Sequence, residues 1–457
     1  MATKTPSRVA VIGCGWWAQG WHLPHLAANA PHVVIAAIVD ASPLPISTLS
    51  SSPLLSLVDL SKKYNCPHYN SVEEMLADPE VGPTLDGVVV ATSHASHFQV
   101  GMALLKEGVR RRSIAEAVEK EEQVGSNSVT PQSVHRAMHI LMEKPMTCSV
   151  AEALEMSKMS MAYPEGAFVI NHTASYRPQT FVAKNVIASG QLGRIRHITA
   201  TMNGGLMWLF DNQKNESWTS KTPWQKEENT SHDNKTPMNG NGYAWGQLAH
   251  ILAWIYAVLG ADNDVALPKK VFCTMTHAPN TGADISLAAV ITCSDGITFS
   301  ISGTALLPGS QYADPPIGKR INVEIFGMDG CMLWGGDDRI PESGKLELRR
   351  SAPGEKRDGQ SEFPCSQGET TGNELKDGFY FEDGSQDGKG PGSLEVFLDA
   401  CESSAAKCNQ CEESTSTLVE ESEPILFAND SLIGLRTVQI IDAMYKSSIS
   451  GNAVDVQ

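Results

Sequence analysis

No stretch of this chain approaches the roughly 20 consecutive apolar residues that a membrane-crossing helix needs; the longest candidate, residues 251–259, has the length of a core helix. The opening Met-Ala-Thr-Lys-Thr-Pro lacks the apolar segment of a secretory leader. Basic residues are scarce: 35 Lys and Arg against 52 Asp and Glu leave a formal charge of −17, which argues against nucleic-acid and anionic-membrane partners. Much of that acidity falls in polar stretches (116–122, 382–387, 412–423), where its plainest use is solubility. The ten cysteines lack framework spacing, and several, such as Cys273, Cys293 and Cys331, lie inside apolar runs. They read as reduced thiols of a reducing compartment. Cys408 and Cys411 have metal-like spacing but no second Cys or His pair nearby, so no metal is expected. Walker A, H-E-x-x-H and G-x-S-x-G patterns are absent. A cytoplasmic protein is expected, and at 457 residues it should hold two domains with insertions.

What is present is organised around residues 8–40. Val9-Ala-Val-Ile12 is the short apolar run of a strand buried on both faces of a parallel sheet. Gly13 permits a tight turn, and Gly15 lets backbone N–H groups approach a pyrophosphate with no Cβ in the way. Ala18 completes G-x-G-x-x-A. A helix over 17–29, entered through Trp16 and Trp17, then aims its free N–H groups and positive dipole end at the phosphates. A second apolar run, 33–39, ends in Asp40, whose carboxylate can accept the hydroxyl protons of an adenosine ribose. Ala41 and Ser42 follow, with no Arg or Lys for a 2′-phosphate, so NAD is favoured and NADP is the alternative.

Helical spacing continues over 54–64, from 71 (a Ser N-cap with Glu at the capping-box position) and over 98–106. Buried strands are expected at 86–92 and 139–142. Alternation with this period gives a doubly wound parallel sheet, an α/β Rossmann domain over 1–148, rejoined by parts of the C-terminal tail, with insertions near 41–53 and 110–132. Beyond it the texture changes. Strand-like runs at 168–175, 195–202, 270–277, 285–293, 298–305, 322–326 and 345–349 are separated by Gly/Asp turns. They predict an α+β domain over 149–457 with a large, mostly antiparallel open sheet. Its helices lie at 151–161, 179–189, 243–259 and 424–447, and its polar insertions at 212–241, 351–392 and 402–423.

In order and spacing, five short motifs resemble the Gfo/Idh/MocA family of NAD(P)-dependent oxidoreductases, whose founding members include glucose–fructose oxidoreductase and inositol dehydrogenase. They are Val11-Ile-Gly-Cys-Gly15, Ala91-Thr-Ser-His94, Glu143-Lys-Pro145, Tyr176-Arg-Pro178 with Ser189-Gly-Gln-Leu-Gly193, and Gly242-Tyr-Ala-Trp-Gly-Gln-Leu-Ala-His250. The resemblance implies hydride transfer between the cofactor and a hydroxyl or carbonyl carbon of a sugar, inositol or related polyol, in a homo-oligomer built on the open sheet. It implies that Lys144 and His250 flank the nicotinamide, and that Thr92, Ser93, His94, His97 and Glu143 join Gly13, Gly15, Trp16, Trp17, Asp40 and Lys144 in holding the cofactor.

The residues themselves suit these roles. Lys144 follows the carboxyl end of a parallel strand, where open α/β sheets bind ligands, and an ammonium there stabilises a developing alkoxide. Imidazole titrates near neutrality, so His250 suits the hydroxyl proton. Gln247 lies near it in azimuth, and Tyr176 and Trp245 offer faces that stack on sugar C–H surfaces. The chain departs from the family where an Asp is usual four residues before the histidine, since Gly246 stands there, and where Ser175 replaces an Arg. Two rivals follow: a redox-silent NAD(H)-binding regulator, and a reductase of an imine or aldehyde.

Overall fold

The computed structural model describes residues 5–45, 53–123, 137–212, 241–261, 266–309, 317–337, 340–350, 369–370, 388–410 and 430–457. The chain forms two compact units: one from 1–147, 151–171 and 384–434, the other from 148–150, 172–383 and 435–457.

The first unit is a six-stranded sheet made of β1 (Ser7–Ile12), β2 (Val33–Val39), β3 (His68–Tyr69), β4 (Gly87–Val90), β5 (His139–Met142) and β6 (Phe168–Ile170). Their order is β3-β2-β1-β4-β5-β6, and every pairing is parallel. This is the doubly wound arrangement in which the direction of winding reverses beside β1, which opens a crevice at the strands' carboxyl ends. β1, β4 and β5 are apolar because both faces are covered. After β1 the chain turns through Gly13 into a π-helical turn, Ala18–His22, continued by α1 (Leu23–Ala28). α2 (Leu57–Tyr64) is capped by Ser56, whose Oγ accepts the Asp59 N–H at 3.1 Å. α3 (Val72–Ala77) starts at the expected N-cap: Ser71 Oγ accepts the Glu74 N–H at 3.1 Å, while Glu74 reaches one residue past it to the Asn70 N–H at 3.0 Å.

Several boundaries differ from the sequence reading. Residues 110–123 are not a break in pattern: α4 runs His97–Gln123. Arg110 and Arg112 pair with Glu107 and Glu116 one turn away, and Arg111 is buried with its guanidinium on the carbonyls of Leu85 and Gly82. The run 168–175 is not a strand of the second sheet. Phe168–Ile170 adds to β5 as β6, returned there by α5 (Val150–Met161), and Thr173–Tyr176 is a short 3-10 turn. The stretch 402–423 begins as helix, because a helix spanning Gly392–Gln410 packs Phe397 and Cys401 under Gly87 of β4. Residues 46–52, 124–136, 213–240, 351–368, 371–387 and 411–429, which hold most of the other expected insertions and Cys411, lie outside the described residues.

The second unit begins with α6 (Pro178–Ala188), β7 (Ile195–Asn203) and α7 (Met207–Phe210). A π-helical turn, Ala244–Leu248, then leads into α8 (Ala249–Leu259). The strands β8 (Pro268–His277), β9 (Asp284–Cys293), β10 (Thr298–Thr304), β11 (Arg320–Gly327), β12 (Gly330–Asp337), β13 (Ile340–Arg350), β14 (Glu369–Thr370) and β15 (Val454–Asp455) follow. With β7 they form a nine-stranded sheet, β14-β13-β12-β11-β7-β10-β9-β8-β15, antiparallel except for β10 against β7. Burial alternates along β9, so one face is core and the other open. On the core face the Trp254 ring of α8 stacks on Trp334 of β12 at 4.1 Å and 5°. β12 is absent from the sequence reading because its glycines look like turn; Gly335 instead admits the Ile321 carbonyl, which would stand 2.4 Å from a Cβ.

Candidate functional site

In the first unit the candidate site is built at the carboxyl ends of β1, β2, β4 and β5. Gly13 has φ +87°, and a Cβ there would stand 2.6 Å from Ala91 and Thr92 backbone, so only glycine fits between the strand ends. Gly15 is a different case. A Cβ on it would meet nothing within 4 Å, which leaves open space above the turn for a group that must approach the backbone. Asp40 is oriented by backbone donors at both oxygens, Cys14 N–H at 2.7 Å and Ser42 N–H at 2.8 Å. Each oxygen keeps a lone pair for a hydroxyl. Thr92 and Ser93 follow β4, with Ser93 Oγ 2.7 Å from Ser96 Oγ. His94 is buried at the start of the next turn.

His97 opens the helix that follows. It is fully buried, with Nδ1 2.7 Å from the Pro145 carbonyl and Nε2 3.2 Å from that of Thr92, and burial lowers its pKa. Its ring braces the loop after β4 against the Lys144–Pro145 corner, with one nitrogen facing each carbonyl. Trp17 is also committed: its indole N–H donates to Glu143 Oε1 at 2.8 Å, and its ring stacks on Trp21 at 5.1 Å. Trp16 lies half-buried beside it, ring centroids 5.8 Å apart. Glu143 is held near a pKa of about 2; burial opposes its charge, but hydrogen bonds from His22 and Asn171 and the nearby His22 and Lys144 charges outweigh that. Lys144, half-buried, follows at once.

In the second unit the residues of interest ride on the helix that starts at Ala244. Asp284 of β9 is fully buried and accepts the Ala244 N–H at 2.8 Å and the Tyr445 hydroxyl, so it caps the helix start. Desolvation raises its carboxyl to about 6. Gly242, with φ +101°, leaves room for that carboxylate. Farther along, Gln247 and His250 are 7% and 6% exposed on a helix otherwise apolar. Gln247 Oε1 has no hydrogen-bond partner among the described residues, a buried acceptor that awaits a donor. The His250 ring meets His172 edge to face at 5.6 Å. Trp245 is fully buried and stacked on Tyr445, and Tyr176 is 5% exposed, as buried as Gln247 and His250. The sequence reading missed His22, Asn171, His172 and Asp284. None sits in a motif of the family resemblance, and only the backbone brings them to the residues they serve.

Comparison with known proteins fits this geometry. The profile described as "Oxidoreductase family, NAD-binding Rossmann fold" matches residues 7–116, and the "GFO/IDH/MocA C-terminal domain" profile matches 182–333. An uncharacterized oxidoreductase of Synechocystis sp. is 22% identical over 347 residues, 74% of this chain and 74% of its own. Among solved structures, a levoglucosan dehydrogenase in complex with NADH and levoglucosan superposes with TM-score 0.58 at 16% identity, over 99% of both chains. The WlbA dehydrogenase of Bordetella pertussis, in complex with NADH and UDP-GlcNAcA, gives 0.57 at 15% identity over 99% of both chains. At these identities the superpositions establish the fold. NAD is the cofactor of the first unit, and the open cradle at Gly15 beside the clasped Asp40 carboxylate fits it.

Proposed function

Since the chain belongs to the Gfo/Idh/MocA family of NAD-dependent oxidoreductases, we propose that its substrate is a sugar, inositol or related polyol, oxidised at a CH–OH carbon or reduced at the carbonyl. Bound NAD supplies the hydride acceptor, or NADH the donor. Lys144 polarises the substrate oxygen and stabilises the alkoxide character that develops there. His250 takes the hydroxyl proton or returns it. Gln247 orients the substrate, and Thr92, Ser93 and Glu143 serve the cofactor. The observation that carries the substrate class is the buried Gln247 carbonyl oxygen, without a donor among the described residues, which a hydroxyl-rich ligand would satisfy. The levoglucosan and UDP-GlcNAcA complexes of the structural neighbours support the same class. Phe272 and Val290, cross-strand partners exposed on the open sheet face, are assigned to a homo-oligomer contact that light scattering would detect.

Single-turnover absorbance in the nicotinamide band against a panel of sugars, polyols, aldehydes and imines tests the reading. Turnover with polyols or their ketones is expected. Turnover confined to imines or simple aldehydes would replace the substrate class. Gly246, where the family's carboxylate is missing, favours one second reading: NADH binding with no turnover on any compound would make the chain a redox-silent regulator.

A further inference from the structure

Three donors from two segments, the turn that carries Trp17 and His22 and the end of β6 at Asn171, converge on one oxygen of Glu143. Oε1 accepts from Trp17 Nε1 at 2.8 Å, from Asn171 Nδ2 at 2.7 Å, and lies 2.8 Å from His22 Nε2. Asn171 is held in turn, its Oδ1 accepting the Ser393 hydroxyl at 2.6 Å. His22 is 2% exposed and Ser393 is fully buried. The second oxygen, Oε2, takes no hydrogen bond from the described residues, and the Glu143 side chain keeps 11% exposure.

An ionised carboxylate only accepts, so each of the three partners must bring a proton. The indole and the amide always do. Imidazole does so at Nε2 only in the right tautomer or when charged, which makes His22 the one conditional member of the cluster. Its place in the chain gives that condition reach. His22 ends the π-helical turn that opens on the glycine loop, and Glu143 immediately precedes Lys144. A half-satisfied buried cluster is costly and rearranges, so losing one donor would shift the glycine-loop helix and the Lys144 corner together.

We infer that His22 is a positioning residue for hydride transfer, whose Nε2–H fixes Glu143 so that Oε2 and the adjoining Lys144 are presented to the nicotinamide half of the cofactor. This rests on the proposed assignment of Glu143 and Lys144 to cofactor and substrate. The groups placed by charge or hydrogen bond around His22 are Glu143 and, on its own helix, His25.

The test uses the full chain with NADH and the best substrate of the panel. His22→Leu removes the donor, and His22→Gln keeps an N–H in its place. For Leu the expected result is a fall in kcat of about tenfold or more with NADH affinity weakened less, and for Gln recovery of most of kcat. A folded Leu variant with kcat within about twofold of the parent, or a Gln variant no better than Leu, overturns the inference. If the Leu variant does not fold, ring nitrogen-15 spectra of the NADH-bound parent decide: a hydrogen-bonded, protonated Nε2 at His22 supports it and a bare Nε2 refutes it. Lys144→Met is measured alongside. If it keeps turnover, the assignment of the corner has failed, whatever the His22 variants do.

Discussion

Cys14 gives its backbone N–H to the Asp40 carboxylate at 2.7 Å, so the acid that ends β2 is tied directly to the glycine turn that ends β1. The same carboxylate therefore serves the protein and, in the proposed site, the ribose. Asp40→Ala should weaken NADH binding by roughly 10–100-fold, the worth of hydrogen bonds to a charged acceptor of about 1.5–3 kcal/mol. Titration calorimetry measures it. An affinity within twofold of the parent would remove Asp40 from the site.

The two glycines of the turn should fail in different ways. Gly13→Ala forces an L side chain into positive φ against the Ala91–Thr92 backbone and should cost stability of at least ~2 kcal/mol as well as NADH binding. Gly15→Ala meets nothing in the protein, so thermal melting should not change while NADH affinity drops about tenfold. Equal loss of melting temperature in both variants would contradict this division.

Lys144→Met should separate binding from chemistry. Removing the electrostatic stabiliser of a developing oxyanion costs about 10²–10³ in turnover. NADH affinity, read by fluorescence, should stay within a few-fold. Parallel loss of both would make Lys144 a cofactor-binding residue and leave the reaction without its proposed electrophile.

Asp284 and Glu143 should respond to pH with opposite signs. The folded carboxyl of Asp284 titrates at about 6, above its ordinary 3.8, because burial disfavours its charge. Folding thus favours the proton: that contribution is whole below the unfolded pKa and is lost as pH rises through 6, on the order of 3 kcal/mol. Glu143, held down to about 2, contributes stability that is present above its unfolded pKa near 4.5 and disappears as pH falls toward 2. Chemical denaturation followed between pH 4 and 7 should show Asp284→Asn with a flatter stability profile than the parent. An unchanged profile would show that Asp284 does not titrate there.

Much of the first sheet was readable because apolar runs, a glycine turn and a terminal acid repeat a local pattern. Gly13, Gly15 and Asp40 fall where that pattern puts them. What escaped is what tertiary contact decides. Phe168–Ile170 is as apolar in either sheet, and only its return beside β5 assigns it. Arg110–Arg112 looks like a surface break until Arg111 is seen buried on two carbonyls. His97 and His22 carry no local signal to distinguish a brace from a ligand contact. Gln247 and His250 could be chosen from their apolar helix, but Asp284, which caps that helix from a strand, could not.

The helix spanning Gly392–Gln410 fills the space beneath β4 with Phe397 and Cys401, where even a methyl on Gly87 would collide. On the ribosome, the nucleotide-binding lobe must therefore wait, unfinished, until the segment near residue 410 has been translated. A chain cut after the last parallel strand would expose a raw apolar trough, so shortening this protein to its first lobe should yield inclusion bodies unless the distant helix is spliced back on.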